Sequence, residues 1–566
     1  HPNIKLFITQ GGIQSIDEAI DDHIPMLGLP FFLDQLTNVK RMVAKELGLS
    51  LDYKTLDKKT FKDTIQEIIN NPKYRNRIKE LADLANDQPM TGLEKAVWWS
   101  EYVIRHKGAK HLRSPLLDIP TYQYRKRVKE LDNLVNDQPL TGLEKAVWWT
   151  EYVLRHKRAK HLRSPLLDIP SYQYYLLDVI GFCLGIEKIL SETTESLDVN
   201  KGIGLGVNVD VLDKSTLKVA ILEVLNNPEY RNRIKQLAEL SKYQPMTSLE
   251  VHHQVAFHPL WRELSLRGHQ VTVITTNPIK DSALKNLTEI DLTFMHEEWD
   301  NVNWNKEPKL NTETFNLMIK IFSDLIDKEL GHPEVQKIIN NETEHFDVVL
   351  AEAIFPGVLL FAERFKCPLI QMFSIDAQSE FYYRLGNPFH PVLNPDFMLP
   401  FFGQLTFTER LLSTVFVLCY SIFNKYIFYP IQQAAVEKHF GKNYSSIEEI
   451  LSTASLMFVN TDFVFHGIRP VLPNVIQIGG GTHLSASKPL PKDLQTILDR
   501  ATNGVVYFSL GSNVKSKYLS EDTLKIFLET FSELPFTILW KFEEDNLQGK
   551  PDNVFISKWF PQQDIF

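Results

Sequence analysis

The residues best able to do chemistry stand around two glycine turns. FITQGGIQSIDEAI (7–20) reads as a strand, a tight Gly11-Gly12 turn, and a helix whose first turns carry Ser15, Asp17 and Glu18. A glycine turn lets backbone approach a ligand, and a helix N-terminus presents unpaired N–H groups to an anion. SLGSNV (509–514) is a second strand-to-glycine turn, with hydroxyls at Ser509 and Ser512 beside Gly511. Alone, each is as readily a plain turn. Two in one α/β domain point to a phosphate or diphosphate site. PFFLDQ (30–35) places Asp34 and Gln35 after an apolar run. An acceptor beside an amide suits a hydroxyl-rich ligand such as a sugar, and equally an ordinary loop. His106 and His111, with their copies His156 and His161, are spaced poorly for a metal and read as a solvated basic helix end.

These parts must be held by alternating strands and helices, the pattern of a parallel sheet. The segment 252–276 reads as helix then strand, 346–376 as strand, helix, strand, and 456–463 and 475–480 as short strands. After a Pro-rich linker (485–494), a new α/β unit opens: strand 503–514, helix 520–533, strand 536–543. WFPQQDIF (559–566) and HPNIKLFITQGG (1–12) would both continue that unit, as though its second half had been placed first. His1 and Phe566 are then expected to be neighbours, with Trp559 and Gln562 facing the Gly11–Ser15 turn.

Two long copies complicate the order. Residues 86–124 recur nearly unchanged as 136–174, and 212–250 repeats the pattern of 56–94. Near-identity with irregular ends fits recent duplication better than a helical repeat scaffold. YYLLDVIGFCLGIEKIL (174–190) is the membrane candidate. Interrupted by Asp178 and short of the roughly 20 residues a span needs, it reads equally as a buried or interfacial helix.

Composition bounds the rest. A chain of 566 residues exceeds one core. Three cysteines exclude a disulfide framework and a Cys-based zinc site. A net charge of −9 leaves no nucleic-acid footprint, so no nucleic-acid partner is expected.

Joined in the order 559–564, 7–19, 30–35, the segments WFPQQD, FITQGGIQS.DEA and PFFLDQ resemble the signature of the UDP-glycosyltransferase family of animals. FSLGSN (508–513), ILWKFE (538–543), EKAVWWSEYVIRHKGAKHL (94–112) and HHQVAFHPLWRELSLRGHQVTVITTNP (252–278) resemble it too, most nearly its insect members. The resemblance implies an α/β fold of GT-B type, two Rossmann-like domains across a cleft, here with extra duplicated helical segments. The domains would be 1–124, second half of the donor domain plus tail helices; 125–190, a duplicated tail with a truncated membrane-like segment; 191–250, a partial third tail; 251–490, the acceptor domain; and 491–566, the first half of the donor domain.

The same resemblance implies the roles. Trp559 stacks on uracil, Gln562 bonds near base or ribose, and Glu18 accepts from ribose hydroxyls. Ser512 and Gly511, Gly12 and Ser15 meet the diphosphate, and Asp34 and Gln35 the sugar. Gln10 stands where the family usually has His. His253 matches the catalytic base, with a pKa of about 6.5 suited to taking a hydroxyl proton; His252 and His258 are its alternatives. Glu352, where the family has Asp, would orient that imidazole. The donor is UDP-glucose or a related UDP-sugar, used as a co-substrate with no cofactor and no metal. The acceptor is small and lipophilic. Membrane association on the lumenal side of the endoplasmic reticulum and pairing with family members follow from the resemblance. The expected apolar strand before His253 is missing, with YQPMTSLEV in its place. A second expectation is therefore a catalytically inactive fusion of gene copies that binds UDP-sugar or pairs with intact members. No Arg near Asp34 and Gln35 argues for a carboxylate-bearing sugar.

Overall fold

The computed structural model describes residues 1–31, 34–109, 112, 151, 254–296, 312–511 and 514–566. The duplicated tails, the 174–190 segment, His252, His253 and Ser512 lie outside them.

The chain's two extremities build one sheet. Strands β1 (Ile4–Thr9), β2 (Met26–Gly28), β3 (Gly48–Ser50), β10 (Val505–Ser509), β11 (Thr537–Lys541) and β12 (Val554–Ser557) are all parallel, in the order β12-β11-β10-β1-β2-β3. Read from residue 505 onward and then from residue 4, this is the doubly wound order 3-2-1-4-5-6. Its central pair joins the halves, Ile8 opposite Phe508 and Thr9 opposite Ser509. Successive strand residues serve opposite faces. Ile4, Phe7, Val505, Tyr507 and Leu539 enter one core, while Leu6, Ile8, Val506, Phe508 and Trp540 enter the other. Burial on both faces explains why these strands read as continuous apolar runs.

The extremities also touch. The His1 amine donates to the Ile565 carbonyl at 2.7 Å and to the Phe566 carbonyl, and the Phe566 ring meets Phe7 edge-on at 5.1 Å. Helices α1 (Ile13–Asp21), α2 (Asp34–Ala44), α3 (Lys58–Asn70) and α4 (Pro72–Asn86) flank this sheet.

Helix α5 (Gly92–His106) goes elsewhere. Thr91 and Glu94 close a capping box at its start, and Lys107 ends it in a left-handed conformation. Its Ala96, Val97, Tyr102 and Val103 pack with Phe257, Leu456, Phe458 and Ile476. The sequence marks this stretch as a tail helix following the second half-domain within 1–124; its apolar face is buried in the other domain's core.

That second domain carries β4 (Val271–Thr275), β5 (Leu287–Asp291), β6 (Val349–Glu352), β7 (Leu369–Phe373), β8 (Leu456–Val459) and β9 (Val475–Gln477). They form a pair, β4-β5, and a separate parallel sheet, β6-β7-β8-β9. The two are not bonded to each other. β7 and β8 are fully buried, whereas every residue of β6 is only half-buried.

A helical run Phe407–His439, with a π-turn at Asn424–Phe428, is long and apolar enough to cross a membrane, and 11% of its most apolar window is buried. Leu418, Ile422 and Tyr426 are all exposed along it. The sequence reading places the membrane candidate at 174–190 and passes over this run, although its length and apolar composition are themselves the local signal; only the bare face needs the fold.

Candidate active site

The C-terminal ends of the central strands β10 and β1 are the switch point of this six-stranded sheet, where doubly wound folds bind ligands. Both strands end in glycine turns with left-handed backbone, Gly511 at φ 70° and Gly11 at φ 94°. The turns interlock. A Cβ on Gly511 would stand 2.3 Å from Gln10 Nε2, and one on Gly11 would stand 2.4 Å from Val39 Cγ2 and 3.2 Å from the Gln35 carbonyl. Gln10 is therefore packed against the other turn, with its buried Oε1 unbonded among the described residues.

Helix α1 begins at Gly12 with no side-chain cap, so its first N–H groups are unclaimed by a capping side chain. One turn in, Ser15 and Glu18 meet the far end of the chain. Gln562 Nε2 donates to Ser15 Oγ at 3.1 Å and to Glu18 Oε2 at 2.5 Å, and Gln563 Nε2 donates to Glu18 Oε1 at 3.1 Å. His483 Nε2 lies 3.5 Å from Glu18 and 3.1 Å from the Gln14 carbonyl. Burial would depress this imidazole, but Glu18 and Asp17 outweigh it and hold its pKa above the ordinary value. Trp559, three residues before Gln562, is 71% exposed.

Asp34 and Asn38, one turn apart on α2, tie that helix to the first turn. Asn38 Nδ2 donates to Asp34 Oδ2 at 2.8 Å and to the Gly11 carbonyl at 3.1 Å. Burial pushes the Asp34 carboxyl up to about 6, against the pull of that hydrogen bond. Gln35 is turned inward: its Oε1 accepts from the Phe31 N–H at 3.0 Å, so one half of its amide serves the loop. The expectation that no Arg stands near this pair needs correcting. Arg41, two turns on, is buried among Asp34, Asp376 and Arg469, and its Nε is unbonded among the described residues. The spacing of seven on one helix was the available signal.

Lys541, at the end of β11, is the cation that motif reading passed over. Its ammonium donates to the Gly511 carbonyl at 2.7 Å and stands 3.4 Å from Glu543. Burial lowers its pKa, and Glu543 opposes that. A lysine ending a strand that is otherwise apolar was the signal.

In the other domain, Glu352 ends β6. Its Oε1 accepts from Ser374 Oγ at 2.5 Å and Ser374 N at 3.2 Å, while Oε2 is buried and unbonded among the described residues. Burial raises its carboxyl to about 7 despite the Ser374 bonds. Gln254, which follows His253, is pinned at the end of β4 by Thr275 Oγ1 at 2.7 Å and Thr276 N at 3.0 Å. His258 Nε2 donates to the Asn277 carbonyl at 2.7 Å, and burial lowers its pKa. The domains meet where Thr37 Oγ1 donates to the Leu399 carbonyl at 2.7 Å and Gln88 reaches Asp462 at 3.3 Å.

So Gln562, Ser15 and Glu18 form one cluster, Gln10 and Gly511 a second contact, and Asp34 a third point held to Gly11 through Asn38. Glu352 belongs to the other domain's strand ends. Among the described residues, no three His, Cys, Asp or Glu side chains converge as a metal site.

A family profile described as UDP-glucoronosyl and UDP-glucosyl transferase matches residues 1–127, 123–192 and 248–566. The first two matches overlap in sequence, in keeping with the copied tail. UDP-glucosyltransferase 2 of Dactylopius coccus is 33% identical over 316 residues, 54% of this chain and 60% of its own length. UDP-glucuronosyltransferase 2B15 of Rattus norvegicus is 44% identical over 123 residues, 22% of this chain and 23% of its own. Among solved structures, the glycotransferase of kitacinnamycin aligns at TM-score 0.32 and 16% identity, over 55% of this chain and 68% of that one. The chain thus spans less than two thirds of the curated relatives it matches.

Proposed function

Because the chain belongs to the UDP-glucoronosyl and UDP-glucosyl transferase family, we propose that it transfers a sugar, glucose by preference, from a UDP-sugar to a hydroxyl of a small lipophilic acceptor. The observation that carries this is the Gln562–Ser15–Glu18 cluster beneath two interlocked glycine turns at a sheet switch point. Trp559 offers an aromatic face to a base. Glu18 offers a carboxylate to a ribose diol once the Gln562 and Gln563 amides move aside. The open N-terminus of α1 and the Gly511 turn receive the diphosphate.

In the reaction, His253 takes the acceptor's hydroxyl proton. The oxygen attacks the anomeric carbon, the bond to the diphosphate oxygen breaks with inversion, and UDP leaves. Charge builds on that leaving oxygen. Gln10 supplies an amide dipole there but no charge, and Lys541, bound to the Gly511 carbonyl, supplies the cation. Glu352, through its unbonded Oε2, orients the base. UDP-sugar is a co-substrate, and the chemistry draws on no resident cofactor. The bare apolar row Leu418, Ile422 and Tyr426 supports a membrane-facing position, and we place the protein on the lumenal side of the endoplasmic reticulum.

The test is a UDP titration followed by quenching of tryptophan fluorescence, then glucose transfer to a phenol by the protein and by His253→Ala. Saturable quenching with transfer abolished in the variant is expected. No quenching overturns the donor site, and transfer that survives His253→Ala overturns the base. The second reading, an inactive chain that binds UDP-sugar or pairs with intact members, is favoured by the interruption of the acceptor sheet beside Glu352. Saturable UDP binding with no transfer by the unaltered chain would establish it.

A further inference from the structure

Among the described residues the acceptor sheet is broken in its middle, and the break has the chemistry of a strand site. Val271 and Val273 of β4 pack against the same core as Val348 and Leu350. On the opposite side, Ile274 of β4 and Ile290 of β5 share a core with Val349 of β6. Both apolar layers therefore run on across the break, which lies in the plane of the sheet between β4 and β6.

Backbone direction shows what faces it. In a parallel strand, alternate residues turn their N–H and C=O to the same side. The Val271 N–H bonds Asn286 and the Thr275 carbonyl accepts from Leu292, so residues 271, 273 and 275 face β5. The Val349 N–H bonds Pro368 and the Ala353 N–H bonds Met372, so residues 349, 351 and 353 face β7. Thr272 and Ile274 on one side, Leu350 and Glu352 on the other, turn their backbone groups into the break. Among the described residues these groups have no backbone partner.

Unpaired edges belong at the rim of a sheet, where charge or proline guards them. Here two stand inside one, lined by valine, isoleucine and leucine. The donor sheet of this same chain is unbroken in the order 3-2-1-4-5-6. On that order β5 and β4 are strands 3 and 2, β6 is strand 4, and the empty place is strand 1. The half-exposure of β6, beside fully buried β7 and β8, is what a missing neighbour produces.

We propose that this break is a binding site for an extended apolar segment of another polypeptide, which enters as a parallel strand between β4 and β6. The occupant's chemistry is set by the walls. It needs about five residues to match four- and five-residue neighbours, apolar side chains on both faces, and no proline, since its N–H groups must bond both edges. The residues that precede Gln254 in this chain, YQPMTSLEV, carry Pro245, Thr247, Ser248 and Glu250, which match neither requirement.

The full-length protein is titrated with a labelled peptide of alternating valine and isoleucine flanked by lysines, with a control peptide carrying a central proline. Saturable binding of the first peptide alone is expected, with amide exchange slowed at least tenfold at the inward N–H groups of Thr272, Ile274, Leu350 and Glu352. Thr272→Pro and Leu350→Pro each delete one inward N–H and should weaken binding at least tenfold, while Gln477→Pro, on the edge strand β9 with its N–H turned away from β8, should not. No saturable binding, equal binding of the proline peptide, or slow exchange at the Thr272, Ile274, Leu350 and Glu352 amides before any peptide is added would each overturn the proposal. The exchange measurement on the unaltered protein decides the matter even where a proline variant fails to fold.

Discussion

Glu18 accepts a hydrogen bond from Gln562 at 2.5 Å, although the two residues stand near opposite extremities of the sequence. The contact exists because β1 and β10 pair in the middle of one sheet and bring both strand ends to one switch point. The Gln562 and Gln563 amides bond both Glu18 carboxylate oxygens, the ones that the proposed function gives to a ribose diol.

Glu18→Ala should therefore weaken UDP binding by about 1.5–3 kcal/mol, the range for a hydrogen bond to a charged group. Gln562→Ala removes a competitor as well as a contact, so its loss should be smaller. Isothermal titration with UDP and with uracil separates the two, because the Glu18 effect should vanish for the free base.

Lys541 tests the electrostatics of the leaving group. Lys541→Met keeps the length of the side chain and deletes the charge. Affinity for UDP should fall about tenfold or more while affinity for uridine is unchanged, and the dependence of UDP binding on salt should flatten. Parallel titrations at two ionic strengths check both.

Asp17 sits one residue before Glu18, in a small cavity with Ile20, Leu81, Asp462 and Phe465. Burial pushes its carboxyl from 3.8 to about 7, and its Oδ2 is unbonded among the described residues. The folded state thus holds a proton that the unfolded chain releases. Below about pH 4 this makes no difference. As pH rises through the interval to 7, the cost of burying the charge develops, and stability falls. Asp17→Asn should be more stable than the parent at pH 8, by on the order of 1–4 kcal/mol, and nearly equal to it at pH 4. Thermal unfolding at the two pH values reads the difference.

Much of this was legible in the sequence. In the six-stranded sheet, apolar runs mark the strands at 503–514, 536–543 and 7–12, the first and last of them closed by glycine, so all three could be placed without tertiary information. That 559–566 and 1–12 belong together was legible because both are incomplete α/β units that complete each other; the first packs against the second without adding a strand. Lys541, Asn38 and His483 were not legible. Each acts through a partner on another element, and nothing local marks a lysine after an apolar strand as bound to Gly511. The destination of α5 was also hidden: its amphipathic face shows that it packs, but not on which core. The break between β4 and β6 was half visible, as a missing apolar run before His253; its unpaired edges needed the register.

The two glycine turns differ in what they would tolerate. Gly511→Ala would aim a methyl at Gln10 Nε2, 2.3 Å away, which is the far end of a flexible side chain. The amide can swing aside, so stability should drop by only the roughly 1 kcal/mol of a left-handed alanine, while UDP affinity falls because Gln10 leaves the site. Gly11→Ala meets Val39 Cγ2 at 2.4 Å and the Gln35 carbonyl at 3.2 Å. Val39 lies in the core and Gln35 O is helix backbone, so neither yields cheaply. That variant should lose on the order of 2–4 kcal/mol of stability and UDP binding with it. Chemical denaturation of both variants, with and without UDP, orders them: Gly511→Ala should unfold near the parent midpoint with the shift by UDP diminished, and Gly11→Ala should unfold well below it. Equal midpoints would mean that the α2 backbone does not constrain the first turn.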